Sequence, residues 1–188
     1  MPHSVSAKIG FISVDVKNSQ ILRLRLGDEL AGRLIREIMD KVCAYLAETF
    51  SAYAFHRADD GVIVAGFSRT NLALAAVGLV ALQEKVNLNH GHARGNGGIQ
   101  IRVAGHFGLA EVRAERGRLN FFGRTIGKVD RLQKKANGAP LVTKESVSHP
   151  ALRKLMPRIR IEVVQVQLKG FGKVDAYKLV CNEADTGY

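Results

Sequence analysis

The sequence predicts an α+β fold in which helices pack on a mainly antiparallel sheet. Two observations predict this class: strand-like apolar segments alternate with helix-like ones, and tight-turn signals join neighbouring strands into hairpins. The predicted order of elements is β-α-β-β-α-β-β-α-β, followed by a terminal hairpin. The 188 residues suit a single domain, with a core from about residue 8 to residue 181 and a polar C-terminal tail.

The first half of the chain is predicted to form a strand, a helix, a hairpin and a second helix. Residues 8–16 are the first strand, and residues 53–67 form the hairpin because Asp-Gly is a strong turn signal between apolar strands. The second helix runs from residue 70 or 71 to about residue 86. The first helix opens at residues 27–29, and its apolar residues recur every four positions: Leu30, Leu34, Ile38, Val42 and Leu46.

The second half begins with a glycine-rich loop at residues 88–98, where we interpret His90 and His92 as polar loop residues and not as metal ligands. Asn137-Gly138 is predicted to end a third helix. The remaining predicted elements are a strand at residues 99–112, a turn at Gly117, a helix at residues 125–136, a short strand at residues 140–143, two helical pieces around Pro150, and strands at residues 159–168 and 174–180.

The composition of the chain limits which kinds of molecule it is expected to bind and where it is expected to be located. The net charge of +11 is consistent with a nucleic-acid partner, with a polyphosphate substrate, or with basic residues that only keep the surface soluble. Nucleic-acid binding is nevertheless disfavoured, since the sequence has no zinc-finger spacing and its 6% aromatic content is too low for a stacking platform. No apolar run is long enough to cross a membrane, and the first seven residues lack a secretion signal. We expect a cytoplasmic protein in which Cys43 and Cys181 are buried thiols.

Two predicted strands each supply an aspartate. Asp15 stands in an apolar, strand-like segment, where an ionised carboxylate costs free energy unless it is paired or bound to a metal. Asp59 and Asp60 are adjacent at the tip of the predicted hairpin, where a cation would relieve their repulsion. An isolated Asp-Asp-Gly is more often a solvated turn. The presence of Asp15 favours the other interpretation, a divalent-metal site shared by two strands.

Three segments of the sequence resemble the catalytic domain of class III nucleotide cyclases. They are the strand ending at Asp15, the hairpin around Asp60-Gly61, and residues 122–132, which are similar to the glycine, helix and arginine signature of that family. Residues 102–108 and 168–172 give further support, and the resemblance extends from about Ile9 to Leu179. It implies a ferredoxin-like sandwich that forms a head-to-tail homodimer with the active sites at the interface.

The resemblance also implies roles for individual residues. In that family the ribose 3′ hydroxyl of a nucleoside triphosphate attacks its own α-phosphate, with the help of two divalent ions, Mn²⁺ or Mg²⁺. The carboxylates of Asp15 and Asp60 would hold both ions, with a backbone carbonyl from Val16, and Asp59 is able to share the ligand role.

The partner subunit is expected to supply two cationic groups. Arg131 would stabilise charge on the α-phosphate, and Lys169 would reach the triphosphate. Without the resemblance, Arg131 would be interpreted as a surface helix arginine and Lys169 as an exposed turn lysine.

Two positions at which the sequence differs from the family pattern concern recognition of the nucleotide base. Adenine-specific members carry a lysine where this chain has His56 and an acidic residue or threonine where it has Asn120. Asn120 can pair with the edge of a pyrimidine, and either His56 or Arg57, next to Phe55, could donate to a base carbonyl. The chain is in this respect similar to the pyrimidine cyclases of bacterial anti-phage Pycsar systems, which implies cyclic UMP or cyclic CMP as product and a separate effector that senses it. UTP is slightly favoured over CTP.

A further departure concerns catalysis. Gly127 stands where the family has a transition-state asparagine. Gly127 and His56 favour a second interpretation, a catalytically impaired, cyclase-like domain that binds a nucleotide as a regulatory module. An ordinary adenylate cyclase and a basic nucleic-acid-binding domain also stay open. Retention of both metal aspartates and of Arg131 favours the enzyme.

Overall fold

The computed structural model describes residues 4–89, 98–148 and 159–181, together with Pro150, Arg153 and Leu155. The strands are β1 (Ser4–Val16), β2 (Tyr53–Arg57), β3 (Gly61–Phe67), β4 (Ile101–Glu115), β5 (Arg118–Phe122), β6 (Leu141–Thr143), β7 (Ile159–Leu168) and β8 (Gly172–Cys181). The helices are α1 (Ser19–Leu26), α2 (Asp28–Phe50), α3 (Asn71–Asn89) and α4 (Arg124–Gln133), and a 3₁₀ turn spans Lys144–Ser146.

The strands form one eight-stranded sheet in the order β2-β3-β1-β4-β6-β8-β7, and β5 pairs with the far end of β4. The β4–β6 pair is parallel, and the other pairs are antiparallel. The predicted α+β class is therefore confirmed, with its mainly antiparallel sheet. β1 lies in the interior of the sheet between β3 and β4, which fixes the surroundings of Asp15 on both sides.

The two faces of the sheet are covered by different helices. Val14 of β1 packs into the core formed with α2 and α3, whereas Phe11 packs with Val129 and Leu132 of α4 on the opposite face. We call these the α2–α3 face and the α4 face. Because side chains alternate along a strand, Asp15 lies on the same face as Phe11, the α4 face.

Helix α2 buries the apolar residues that were predicted to recur every four positions, except at its start. Leu34, Ile38, Val42 and Leu46 are at most 7% exposed, as the repeat predicts. Leu30 is 38% exposed, so its assignment to the buried stripe is wrong. The first turn instead buries the next residue, Ala31, which lies fully inside the core.

Three further expectations differ from the structure. The sequence did not predict helix α1, which precedes α2 and ends at Gly27. β1 begins at Ser4 and not at residue 8, because β4 continues to Glu115 and pairs with the added residues. Cys43 is half-buried, but Cys181 is exposed at the end of β8, so the prediction that both thiols are buried is wrong for Cys181.

Two regions of the predicted fold lie mostly outside the described residues. They are the loop that holds His90 and His92, and the second of the helical pieces predicted around Pro150. Within the described ranges, no helix combines the length and the apolar character needed to cross a membrane.

Candidate active site

Asp15 and Asp60 meet at one corner of the sheet. β1 and β3 are antiparallel, and Asp15 stands directly opposite Gly61, the residue that follows Asp60. The backbone N–H of Val16 donates to the carbonyl oxygen of Asp60 at 2.8 Å, which closes the hairpin tip against the end of β1. The register therefore brings the two predicted metal aspartates and Val16 together.

Gly61 allows this close approach. A Cβ atom at Gly61 would lie 3.0 Å from the carbonyl oxygen of Val14 and 3.4 Å from Oδ1 of Asp15. The first of these distances is shorter than ordinary van der Waals contact, so a side chain here would push the hairpin away from β1. The glycine of the Asp-Gly turn thus has a second role beyond the turn itself, since it lets β3 approach the Asp15 carboxylate.

The Asp15 carboxylate is paired in this structure. Arg102, opposite Asp15 on β4, donates from Nε to Oδ2 of Asp15 at 3.0 Å and also donates from Nη2 to the same oxygen. Gln133, at the end of α4, donates from Nε2 to Oδ2 at 3.2 Å. The side chain of Asp15 is 20% exposed, and a positive charge beside it offsets the cost of burying its carboxylate.

Among the described residues, the Asp60 carboxylate accepts fewer side-chain hydrogen bonds than the Asp15 carboxylate does. The hydroxyl of Ser19, at the start of α1, donates to Oδ2 of Asp60 at 2.6 Å. Asn18 adopts a left-handed conformation, with φ of 55°, which turns the chain from β1 into α1 and brings Ser19 to the hairpin. Helix α1 therefore belongs to the site, although the sequence pattern did not indicate it.

Asp59 lines a surface pocket that includes neither Asp15 nor Asp60. It is exposed, and Arg23, Arg36 and Arg57 line the same shallow pocket. Among the described residues, no three His, Cys, Asp or Glu side chains come close enough to hold a metal together. A shared ligand role for Asp59 stays a prediction, and the geometry favours Asp60 as the second ligand.

The donor atoms at this corner suit a hard divalent cation. The hydrogen bonds that the described residues make to the Asp15 and Asp60 carboxylates all end on Oδ2, so Oδ1 of each is available to another ligand. Carboxylate and carbonyl oxygens are the ligands that Mg²⁺ and Mn²⁺ prefer. The residues present thus fit one or two such ions, provided that Arg102 shares the Asp15 carboxylate.

A second group of predicted residues lies on α4 and the β7–β8 turn. Arg131 donates from Nη1 to the carbonyl oxygen of Lys169, and its guanidinium carbon is 5.2 Å from the ring centroid of Phe171. Gly170 has φ of 76°, and a Cβ there would lie 2.8 Å from Nη1 of Arg131. The turn is thus shaped to receive this arginine, and the structure brings Arg131 and Lys169 together.

Gly127 lies on the same side of α4. The nearest atom to a Cβ built at Gly127 is Cζ of Phe171, at 3.9 Å. The position that the family gives to an asparagine is therefore next to the Phe171 ring, and no donor side chain projects from it.

The residues predicted to contact the base lie on β2 and β5. Phe55 occupies an irregularity of β2 between Ala54 and His56, and its ring centroid is 4.8 Å from that of Phe121 on β5. This aromatic contact joins the two strands on the α4 face. Asn120, the residue before Phe121, donates from Nδ2 to Glu115 at 3.3 Å.

His56 and Arg57 point to opposite faces of the sheet. His56 pairs with Ile63, whose side chain lies on the α4 face, and Arg57 pairs with Val62, on the α2–α3 face. Arg57 forms an ion pair with Asp40 of α2 at 2.5 Å, which raises the pKa of Arg57 mainly through that hydrogen bond. Of the two alternatives for a base donor, His56 is the one on the face that holds Asp15.

The α4 and β7–β8 group is not joined directly to the aspartates by polar contacts of the described residues. In the described part of the protein, no hydrogen bond or ion pair joins Arg131 or Lys169 to Asp15 or Asp60. Gln133 faces Asp15, whereas Arg131, two residues earlier on α4, faces the β7–β8 turn.

Sequence reasoning missed three side chains that contact the aspartates: Arg102, Gln133 and Ser19. Arg102 and Gln133 lie 87 and 118 residues from Asp15 along the chain, so no local spacing indicated them. Of the three, only Arg102 could have been found from the sequence. It begins the segment at residues 102–108 that resembles the cyclase family, and a partly buried aspartate such as Asp15 requires a nearby cation.

A buried polar cluster lies beside the second group. His106 on β4 is 5% exposed, and its Nδ1 is 2.8 Å from Oγ1 of Thr143 and 3.2 Å from Oγ of Ser146. Burial, and then the nearby charge of Lys128, lower the pKa of His106 to about 4, whereas Glu145 raises it less. Near neutral pH His106 is therefore uncharged, and Glu145 pairs with Lys128.

The sequence matches no protein-family model and no curated protein, but the fold has close structural counterparts. The adenylyl cyclase CyaB from P. aeruginosa superposes with a TM-score of 0.75 at 20% identity, over 98% of this chain and 100% of that chain. An adenylate cyclase from Trypanosoma brucei, solved in its monomeric state, gives 0.72 at 20% identity, over 92% and 89%. The guanylyl cyclase Cya2 gives 0.70 at 15% identity, over 99% and 98%. The chain has the fold of the class III adenylyl and guanylyl cyclase domains.

Proposed function

We propose that the protein is a metal-dependent nucleotide cyclase. The observation that supports this best is the meeting of Asp15 and Asp60 at one corner of the sheet, in a chain with the cyclase fold. Two carboxylates beside a glycine that permits close approach are a reasonable site for divalent ions, and a structural role does not require both.

The proposed reaction converts a nucleoside triphosphate into a 3′,5′-cyclic nucleotide and diphosphate. The ribose 3′ oxygen forms a bond to the α-phosphorus while the bond from that phosphorus to the oxygen bridging to the β-phosphate breaks. Diphosphate leaves with the electron pair, and the hydroxyl proton passes to solvent. Divalent ions, when bound by Asp15 and Asp60, would acidify the hydroxyl and neutralise the triphosphate.

A head-to-tail homodimer completes the proposed site. The partner's Arg131 would act on the α-phosphate and the partner's Lys169 on the triphosphate, since among the described residues neither forms a hydrogen bond or ion pair with the aspartates of its own chain. An exposed aromatic residue on the α4 face, Tyr53, which contacts Phe121 and is 37% exposed, supports a second copy as the neighbour. A guanylyl cyclase domain of similar fold, from the RhoGC fusion protein of Blastocladiella emersonii, forms a non-canonical dimer, so the head-to-tail arrangement is proposed here from the resemblance alone.

We further propose a pyrimidine substrate, UTP, with cyclic UMP as product. His56 lies on the α4 face with Phe55, where its imidazole can donate to a carbonyl oxygen of a uracil edge. Asn120 precedes Phe121 on β5 and, because side chains alternate along a strand, points to the other face of the sheet, so the base assignment depends more on His56 than on Asn120. By resemblance, such a product would activate a separate effector in cytoplasmic anti-phage defence.

Two alternatives have specific support. The structural counterparts are adenylyl and guanylyl cyclases, so an adenylate cyclase fits the same fold. A regulatory nucleotide-binding domain is favoured by the Arg102–Asp15 ion pair, because it neutralises one of the proposed metal ligands. It is also favoured by Gly127, because a glycine there offers no side chain to stabilise the transition state.

The test is a nucleotide panel. The purified protein is incubated with Mn²⁺ and, in turn, ATP, GTP, CTP and UTP, and the products are identified by mass spectrometry. Cyclic UMP as the main product supports the full proposal, and cyclic AMP or cyclic GMP keeps the cyclase but removes the pyrimidine assignment. Binding of a triphosphate without any cyclic product favours the regulatory domain and contradicts the enzyme.

A further inference from the structure

We propose that Arg124 is a second phosphate-binding arginine, held beside Arg131 by the ring of Phe171. This inference rests on the proposed cyclase function and names a catalytic residue for it. Arg124 would share with Arg131 the negative charge that develops on the α-phosphate and the departing diphosphate. Arg124 lies about one helical turn before Gly127. Its guanidinium would supply hydrogen-bond donors to the phosphates, which a glycine at position 127 cannot do.

The two arginines converge on one ring. The guanidinium carbons of Arg124 and Arg131 are 5.4 Å and 5.2 Å from the centroid of Phe171. They are seven residues apart on α4, which is two turns, so they lie on the same side of the helix. An aromatic face attracts a guanidinium, and here one ring orients two of them.

Gly127 makes this arrangement possible. It lies between the two arginines on the same side of α4, and Cζ of Phe171 is the nearest atom to the position of its absent Cβ, at 3.9 Å. A longer side chain at this position would occupy the space next to the ring. The glycine and the aromatic residue therefore act together to bring two cations over one surface.

Within the described part of the chain, neither of these two positive charges is neutralised by a carboxylate. Among the described residues, no carboxylate forms an ion pair with Arg124 or Arg131, although other arginines of the chain are paired, such as Arg57 and Arg102. Arg131 uses Nη1 on the Lys169 carbonyl, and the hydrogen bonds of the described residues leave all the donors of Arg124 unused. Arg124 also stands in the first turn of α4, where the helix dipole disfavours a cation.

A polyphosphate explains these features together. Its oxygens accept paired hydrogen bonds from the planar fork of a guanidinium, which a lysine does not match. Two guanidiniums oriented by one ring can contact neighbouring phosphate groups of a single nucleoside triphosphate. Helix stability does not explain Arg124, since an acidic or neutral residue would suit the first turn better.

The first experiment measures steady-state kinetics with the preferred nucleotide and Mn²⁺ for the wild type, Arg124→Ala, Arg124→Lys and Arg33→Ala. Arg33 is an exposed arginine of α2 and serves as the matched control for lost surface charge. We expect Arg124→Ala to lower kcat about 100-fold with a small change in KM, as for the loss of one transition-state donor. Arg124→Lys should recover only part of the loss, and a kcat for Arg124→Ala within twofold of the control overturns the proposal.

A second pair of variants tests the positioning role of Phe171. Phe171→Tyr keeps the aromatic face and should keep kcat, whereas Phe171→Leu keeps apolar contact without that face and should lower kcat about tenfold. Analytical ultracentrifugation checks that both variants retain the oligomeric state of the wild type. Equal kcat values for the two variants contradict the proposed role of the ring.

Calorimetric titration with inorganic diphosphate separates this proposal from the proposed function. If the wild type forms no cyclic nucleotide from any triphosphate, the proposed cyclase function is wrong. The affinity for diphosphate still tests whether Arg124 and Arg131 form a phosphate-binding site. Binding at least tenfold weaker in Arg124→Ala than in Arg33→Ala supports the site. Equal affinities in those two variants overturn it, whatever the activity of the wild type.

Discussion

Arg102 and Asp15 stand opposite each other on β4 and β1, and the guanidinium donates twice to one oxygen of the carboxylate, Oδ2. Their side chains are 29% and 20% exposed, so solvent screens the pair only partly. The carboxylate that the proposed metal ion needs is thus already neutralised by the protein. A divalent ion has to share Asp15 with Arg102 or displace it.

Replacing Arg102 is expected to change stability and metal affinity in opposite directions. Arg102→Gln leaves the Asp15 carboxylate without its cation, and we expect unfolding free energy without metal to fall by about 2 kcal/mol, less than for a fully buried pair. Mn²⁺ should bind the variant more tightly than the wild type, because it no longer competes with a guanidinium. Urea denaturation with and without Mn²⁺ measures both effects.

Arg118→Gln is a suitable control, since Arg118 is an exposed arginine of β5. It should change neither quantity measurably. Weaker Mn²⁺ binding by Arg102→Gln than by this control would show that Arg102 orients Asp15 for the metal and does not compete with it.

A side chain at position 61 is expected to separate the two aspartates. Gly61→Ala places a Cβ 3.0 Å from the Val14 carbonyl oxygen, so the hairpin with Asp60 must move away from Asp15. We expect Mn²⁺ affinity, measured by titration calorimetry, to fall about tenfold, as when a group that supports metal ligands is changed.

The matched control is Gly105→Ala on β4. Its Cβ would lie 3.1 Å from Leu72, which gives similar crowding in the core and away from the aspartates. If both variants bind Mn²⁺ equally well, the spacing of Asp15 and Asp60 does not determine metal binding.

His106 is expected to make folding stability depend on pH in mild acid. The pKa of His106 is lowered from 6.5 to about 4 in the folded protein, chiefly by burial. Above pH 6.5 the residue is neutral in both states, and its contribution is fully present. Between pH 6.5 and pH 4 the unfolded chain takes up a proton that the folded protein does not, so about 3 kcal/mol is lost as the pH falls.

The measurement is the unfolding free energy of the wild type, His106→Gln and His56→Gln at pH 7.5 and pH 5. His56→Gln controls for the replacement of an exposed histidine, and His106→Gln should lose less stability between these pH values than that control does. Equal losses in all three proteins would mean that His106 does not titrate in this way.

The meeting of Asp15 and Asp60 could be predicted because local signals fix both positions. An apolar strand ends near Asp15, and the Asp-Gly turn fixes the tip of the hairpin. The strand and the hairpin are both observed, and their antiparallel register brings the two residues to the same corner.

The contacts of Asp15 could not be predicted in the same way. Arg102 reaches Asp15 only because β1 and β4 pair in one particular register, and Gln133 reaches it only because α4 packs across that pair. Such contacts depend on the order of strands in the sheet, which the pattern of apolar residues does not specify.

Helix α1 was missed for a different reason. Ile21 and Leu24 are 53% and 87% exposed, and none of the residues of α1 is buried. The apolar residues of this segment therefore do not form one buried stripe, and helical periodicity gave no signal. Its place in the site depends on Ser19, whose hydroxyl contacts Asp60.

The central claim is that each active site combines Asp15 and Asp60 of one chain with Arg131 of another. The most direct test mixes equal amounts of two inactive variants, Asp60→Ala and Arg131→Ala, after unfolding and refolding them together. Random pairing gives mixed dimers with one intact site, so about a quarter of the wild-type cyclase activity should return. Mixed dimers that form, as seen by native mass spectrometry, but that remain inactive would contradict the shared site.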